Sequence, residues 1–417
     1  MSDQQASDPS SNSQSDPARA GFGEFVALMA LIMCLVALSI DAMLPALDQM
    51  GVALNVAAAN DIQLVISVVF LGVATGQLIY GPLADAKGRK PTVYLGFALF
   101  ILGTLLSLFA QDLQTMLVGR FLQGLGAAGP RIVTVAIVRD QYKGKEMARV
   151  MSLIMTIFIL CPVVAPLLGQ GVLLVAGWRE IFGLLLALAL IAVVWFGLRQ
   201  HETLPQERRI PLSAKHVLAN IKEVIGQRAA LSYMIALGFV FGAFIGFLSS
   251  IQQVLQGLYG LGAMFPVYFA VLAISIGTAS YTNSRLVMRF GMRSLALTAT
   301  AFITGFSLLA LPLFYLLGGV PPLWLWMAYL LLTLFCVGLL FGNLNAMSME
   351  PFGHIAGMAS AIVGAISTFI AVSMGTVVGQ LFDGTVLPIV GGFALLGGLA
   401  LFAIWRACRR CEKPVTV

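Results

Sequence analysis

Twelve apolar runs, each 20 residues or longer, are what this chain has to accommodate. They cover roughly 24–47, 62–84, 92–111, 114–138, 147–176, 180–199, 229–251, 262–283, 294–317, 322–345, 355–381 and 385–406. A helix rises about 1.5 Å per residue and the hydrocarbon core of a bilayer is about 30 Å thick, so each run is long enough to cross it. Barrel strands alternate apolar and polar residues over about ten positions, whereas these runs are continuously apolar, so only α-helices fit. Composition agrees. Of 417 residues, 59% are hydrophobic and 10% charged, against about 25% charged in a soluble domain. Lipid must be the solvent for most of this surface.

The net charge of +6 does not point to nucleic acid. With both termini on one side, 21 of the 24 Lys and Arg residues fall in the loops and tails of that side. Arg179 alone lies opposite, and Arg120 and Arg131 lie within span four. That asymmetry predicts cytoplasmic termini. The first 21 residues are rich in Ser, Asp and Gln and read as a disordered cytoplasmic tail rather than a signal peptide. Cys34, Cys161 and Cys336 sit inside apolar runs, while Cys408 and Cys411 form a Cys-x-x-Cys in a basic tail over 408–417. No second pair accompanies it, so an ordinary reduced tail is preferred to a metal or redox site.

The longest polar stretch, 200–228, divides a six-span bundle over 22–199 from a second over 229–407 and reads as a cytoplasmic linker. The halves echo each other. The loop after span two, Gly81–Lys90, shares the spacing of Leu83, Gly88 and its closing base with Leu286, Gly291 and Arg293 after span eight. The expected fold is therefore all-α and polytopic, with twelve transmembrane helices in two six-helix bundles.

A few polar residues stand out against this background. In the 81–90 loop, Gly81, Asp85, Gly88 and Arg89 are spaced for a tight turn with a charge-linked latch between helix ends; the plainer alternative is a charged turn. Arg120 and Arg131, eleven residues apart, share a helix face, with Gln123 near it. An arginine inside a span is costly unless it meets an acid, a carbonyl or water. Arg131 could also snorkel to the cytoplasmic surface. Gly124-x-x-x-Ala128 offers a groove for close helix packing. Asp41 is the one clear carboxylate inside span one, at nearly the depth of Arg120. A carboxyl caught between burial and a guanidinium can load and release a proton as its surroundings change; the alternative is that Asp41 only caps a helix end before Pro45. Pro162, Pro166 and Gly169 weaken the backbone bonding of span five, which permits a bend or close packing. Asn343 and Asn345 in span ten point to nearly opposite sides, so one of them meets a cavity and helix-to-helix bonding is the commoner role. Gln123, Arg131, Asn343 and Asn345 are the candidate cavity residues.

These motifs resemble the major facilitator superfamily. Gly81-Pro82-Leu83-Ala84-Asp85-Ala86-Lys87-Gly88-Arg89-Lys90 looks like its signature loop, and Arg120-Phe121-Leu122-Gln123-Gly124-Leu125-Gly126 like its fourth-helix motif. Ala165-Pro166-Leu167-Leu168-Gly169-Gln170 resembles part of the antiporter motif, with Ala165 and Gln170 where that motif usually carries Gly. Asp41-Ala42-Met43-Leu44-Pro45 resembles the first-helix motif of twelve-helix drug:proton antiporters. Arg139-Asp140, Gly177-Trp178-Arg179-Glu180 and Ala356-Gly357-Met358-Ala359-Ser360-Ala361 resemble the Bcr/CflA drug-resistance branch. The resemblance covers nearly all of 22–406.

It implies a monomeric exporter in the bacterial inner membrane, driven by the proton gradient and without a cofactor. Its substrates would be small drugs of the chloramphenicol, florfenicol or bicyclomycin kind, with Asp41 and Arg120 coupling proton entry to export. A carrier for a metabolite or nutrient is the second reading. A membrane enzyme or a sensor is disfavoured: His201, His216 and His354 form no metal spacing, there is no phosphate loop, and no signalling domain is present.

Overall fold

In the computed structural model, which describes residues 21–411, the apolar runs become helices that outlast them at the basic end. The chain runs α1 (Phe22–Asp41), a short α2 (Leu47–Ala53), α3 (Leu64–Lys87), α4 (Arg89–Leu108), α5 (Leu113–Gln141), α6 (Gly144–Val175) and α7 (Arg179–Arg199). After α8 (Ala214–Gly226) come α9 (Arg228–Gln252), α10 (Phe265–Phe290), α11 (Met292–Leu316), α12 (Leu323–Met349), α13 (Ala356–Gln380) and α14 (Leu387–Cys411). Twelve of these cross the bilayer: α1 with its continuation α2, α3 to α7, and α9 to α14. A 3₁₀ turn at Glu350–Ile355 separates α12 from α13.

Two boundaries differ from the sequence reading. Span one is not a continuous helix: α1 stops at Asp41, and a 3₁₀ turn at Leu44–Ala46 containing Pro45 precedes α2. Proline has no N–H to carry on the helical ladder. The expected tail at 408–417 is helical to Cys411, so Cys408 lies on α14 and contacts the Tyr233 hydroxyl at 3.8 Å. Most of the expected N-terminal tail, together with residues 412–417, falls outside the described residues.

The helix pairings repeat between halves. α3 packs on α5 as α10 packs on α12; α4 packs on α5 as α11 on α12; α1 packs on α6 as α9 on α13. The seam between halves is made by α3 with α13 and by α6 with α10. With no hydrophobic drive between helices in lipid, close backbone approach has to supply the attraction. Gly124 does so on α5: a Cβ there would collide with the Val69 carbonyl of α3. Leu190, Ile191, Leu309, Leu332 and Leu395 are exposed, as side chains facing lipid should be.

The turns between α3 and α4 and between α10 and α11 are built alike. Gly88 has φ +104° and Gly291 φ +75°, a region that favours glycine, and each ends one helix and starts the next. The segment between α7 and α9 touches both halves. Ile210 N donates to Asp85 O at 3.0 Å, and Glu223 of α8 meets His354 at 2.7 Å. Within the first half, the sulfurs of Cys34 on α1 and Cys161 on α6 are joined, their Cα atoms 6.1 Å apart. Read from sequence they were two separate apolar positions; only the packing of α1 on α6 brings them together.

Candidate functional site: embedded charges, a charged turn and an amide clamp

The turn at Gly88 carries a network rather than a single pair. Arg89, almost fully buried, reaches Asp85 at 2.6 Å and Asp140 at the end of α5 at 3.0 Å. Glu202, just beyond α7, accepts from Arg89 N at 2.9 Å and Lys90 N at 3.0 Å. Those are orphan N–H groups at the start of α4, and a carboxylate there satisfies them and meets the positive end of the helix dipole. Thr203 donates to Asp140 at 3.1 Å. Asp85 and Arg89 were visible in the sequence as a pair; Asp140, Glu202 and Thr203 come from elsewhere in the chain. Gly81 lies at the seam, where a Cβ would meet Ala361 of α13 at 3.4 Å.

Deeper in the bundle, Arg120 is completely buried. Its Nη2 donates to Ser39 O at 2.8 Å and its Nε to Val65 O at 3.2 Å, while Gln123 Oε1 accepts from Nη1. Gln123 Nε2 in turn donates to Thr104 at 3.0 Å. The guanidinium also lies 5.7 Å from the Phe182 ring centre. Three N–H groups of the cation thus donate to two carbonyls and an amide, with a π-face beside it.

The expected contact between Arg120 and Asp41 is not made. Asp41, 5% exposed, has no ion pair or hydrogen bond among the described residues. Arg120 instead binds the carbonyl two residues before Asp41. Its guanidinium is turned toward the backbone carbonyls of Ser39 and Val65 and the side chain of Gln123. Gly169 of α6 closes the other side: a Cβ there would run into the Ala42 carbonyl. Pro162 and Pro166 lie within α6, which remains one helix across both.

The candidate cavity residues separate. Arg131 is half-buried, with its guanidinium 5.7 Å from the Phe158 ring centre. Asn343 is buried and bonds Asn283 of α10 at 2.7 Å and Leu339 O at 3.0 Å, so it ties helices together. Asn345 is exposed.

Two groups went unnoticed in the sequence. At the base-poor end, side-chain amides staple the halves. Asn60 Nδ2 donates to Gln380 O at 3.0 Å and Phe382 O at 2.8 Å, and Gln380 Nε2 returns a bond to Asn60 O at 2.9 Å. Gln63 bonds Gln253, which also reaches Ala59 O at 3.1 Å. Gln253 opens a π-helical turn, Gln253–Leu258, that widens the end of α9. Just beyond it, burial pushes the Tyr259 hydroxyl up to about 12, and it donates to Pro321 O at 2.6 Å. The second group is aromatic. Phe241 lies 5.5 Å from Phe70 of the other half and 5.6 Å from Phe341, and Phe244 lies 5.7 Å from Phe341. All four rings are half-buried at the seam. Phe239, Phe241, Phe244 and Phe247 were plain to see in span seven, but a phenylalanine in a span reads first as lipid-facing.

Comparison with known proteins gives the architecture its place. The chain superimposes on the xylose transporter XylE from E. coli (TM-score 0.71, 12% identity, 92% of this chain and 97% of that one). It also superimposes on the human organic anion transporter MFSD10 (TM-score 0.67, 16% identity, 93% and 100%). Identities so low show the fold alone. In sequence it is 31% identical to the uncharacterised MFS-type transporter YdgK of Bacillus subtilis, over 90% of this chain and 94% of that protein. It is 29% identical to a bicyclomycin resistance protein homolog of Haemophilus influenzae (88% and 91%) and to a chloramphenicol resistance protein of Pseudomonas aeruginosa (88% and 86%). Residues 29–376 match the family model of the Major Facilitator Superfamily. With twelve spans in two repeated bundles and that match over most of its length, the chain belongs to the Major Facilitator Superfamily.

Proposed function

We propose that this protein is a proton-coupled exporter of small drug-like molecules, acting as a monomer in the inner membrane of a bacterium with both termini in the cytoplasm. The substrate class comes from the relatives named for bicyclomycin, chloramphenicol and multidrug resistance. The observation that carries the coupling mechanism is the buried, unpaired carboxyl of Asp41 beside the embedded cation of Arg120. The rings of Phe70, Phe241, Phe244 and Phe341 offer a flat apolar drug a wall shared by both halves. Arg131 and Asn345 supply polar contacts on the cytoplasmic side of that wall.

Transport by alternating access requires proton and drug to bias one two-state element. That element is the movement of 22–199 against 229–407, with 200–228 as the strap. The amide clamp of Asn60, Gln63, Gln253 and Gln380 holds the outer end shut in this state. In our reading Asp41 is protonated here, because Arg120 is engaged elsewhere. Loss of the proton to the cytoplasm draws Arg120 from Ser39 O onto the carboxylate. The drug then binds, the clamp opens outward, and a proton from outside reloads Asp41 and releases Arg120. Gly169 lets α6 lie against the backbone that must shift in this exchange.

The test is drug-induced proton movement and drug uptake in inverted membrane vesicles. The reading expects accumulation driven by a pH gradient in wild type and none in Asp41→Asn, with drug binding retained. Gradient-driven accumulation that survives in Asp41→Asn removes Asp41 from the mechanism and moves attention to Asp61 and Glu350.

A further inference from the structure

A groove on the second half is used by nothing described so far. It lies between α9 and α14 and holds about 300 Å³. Leu231, Ile235 and Phe239 line one wall, and Leu399 and Phe402 the other. Arg228 and Arg406 stand at one end of it. The residues contributed by α9 follow Arg228 at helical spacing, and those of α14 lead up to Arg406 in the same way, so each set forms one helix face. The helices are antiparallel, which puts both arginines at the basic end of the bundle.

We propose that this groove binds an anionic phospholipid of the leaflet at the basic end. Depth is the first argument. Phe239 lies eleven residues beyond Arg228, about 16 Å along the helix, which is half of a hydrocarbon core of about 30 Å. The groove therefore has the length of one leaflet's acyl chain. Exposure is the second: Leu399 is 40% and Phe402 56% exposed, so the groove opens sideways to lipid. Charge is the third. Arg228 and Arg406 are exposed at the level where headgroups lie, and neither makes an ion pair among the described residues. A guanidinium grips phosphate oxygens with paired N–H groups. Arg409 is not equivalent: it lies 3.9 Å over the Trp405 ring and outside the groove. The lipid would brace α9, the helix that carries Phe241 and leads into the turn that Gln253 opens.

The test uses the purified full-length chain in a neutral detergent, titrated with dioleoylphosphatidylglycerol, dioleoylphosphatidylcholine or inorganic phosphate. Lipid binding is counted by native mass spectrometry and thermal stability is followed in parallel. Phosphatidylglycerol should bind saturably and raise the melting midpoint, while phosphatidylcholine and phosphate should not. Each arginine contributes about a fivefold gain in affinity for an anionic surface. Arg228→Gln with Arg406→Gln should therefore weaken phosphatidylglycerol binding roughly 25-fold, with Arg409→Gln unchanged. Ala403→Phe, which fills the groove, should abolish binding with both arginines in place. Equal binding of the two lipids, a full effect of phosphate alone, or unaltered phosphatidylglycerol binding by the double variant or by Ala403→Phe overturns the proposal.

Discussion

At the turn between α3 and α4, Gly88 holds φ +104°; at the turn between α10 and α11, Gly291 holds φ +75°. The backbones are duplicates, and the side chains are not. Where the first turn has Asp85 and Arg89, the second has Met288 and Met292. Arg89 is buried between two carboxylates and its helix start is capped by Glu202, whereas Met288 is 86% exposed. The contrast continues inside the bundles. α1 and α5 carry Asp41 and Arg120 in the core, while their counterparts α9 and α12 carry Phe241, Phe244 and the amide of Asn343. The halves therefore share their turns and helix pairings and differ in what these helices bury: charge on α1 and α5, aromatic rings and an Asn–Asn pair on α9 and α12.

Removing a charge from the first half should give the largest effect. Asp41→Asn should abolish pH-driven drug accumulation in inverted vesicles, a loss of about two orders of magnitude, with drug affinity within roughly threefold of wild type. Phe241→Ala, at the corresponding aromatic helix, should instead weaken drug binding about tenfold and leave proton movement per drug unchanged. If Phe241→Ala uncouples and Asp41→Asn only weakens binding, the division of labour between halves is wrong.

Next in size is the latch. Arg89→Ala leaves Asp85 and Asp140 without their shared cation and should lower transport about tenfold with the protein still inserted. The lost interaction is about 1–3 kcal/mol, reduced from a fully buried pair because Asp85 is partly open to solvent. Met292→Ala, the matching position, should leave transport within twofold. Equal losses at the two positions would mean that both turns matter only as turns.

The same comparison sharpens at the glycines. Gly88→Ala and Gly291→Ala each force a side chain into a positive-φ, extended-ψ conformation that is essentially glycine's alone, at about 1–3 kcal/mol. At Gly88 the new Cβ would also lie 2.5 Å from Glu202 Oε2 and 3.1 Å from Arg209 Nη2, whereas Gly291 faces open space. Gly88→Ala should therefore lower the melting midpoint more, and Glu202→Ala should relieve part of the excess. An equal drop at both sites would remove Glu202 from the network.

Much of this plan is legible in the sequence, and the exceptions share a cause. Spans, the half-way break and the Gly88 turn follow from composition and local spacing, because lipid permits so few backbones. Arg120 and Gln123 were legible as a unit because they lie one helical turn apart. What failed was partner choice across helices. Ser39 O takes the guanidinium that Asp41 was expected to hold, and a backbone carbonyl leaves no trace in side-chain chemistry. The amide clamp was hidden for the same reason, since Asn60 and Gln380 lie far apart in sequence and bond through main-chain oxygens. The helix break was legible only as the alternative in which Asp41 ends a helix before Pro45, because hydrophobicity runs straight through Asp41 to Leu47 and Pro45 alone marks the interruption.

The smallest expected effect lies in the amide pair of the second half. Asn343 and Asn283 bond each other between α12 and α10, and Asn343 also bonds its own helix through Leu339 O. Interhelical hydrogen bonds in membranes average about 0.6 kcal/mol, because the separated helices also find partners. A double-mutant cycle with Asn283→Leu and Asn343→Leu should give a coupling of that order and leave drug affinity unchanged. Gln123→Leu in the first half should cost more, since it withdraws an acceptor from a fully buried cation and a donor from Thr104. Drug affinity that falls severalfold in Asn343→Leu would place that amide in the binding cavity. A coupling above about 2 kcal/mol would make the second half as dependent on buried polar bonding as the first, and the contrast between halves would then lie in charge alone.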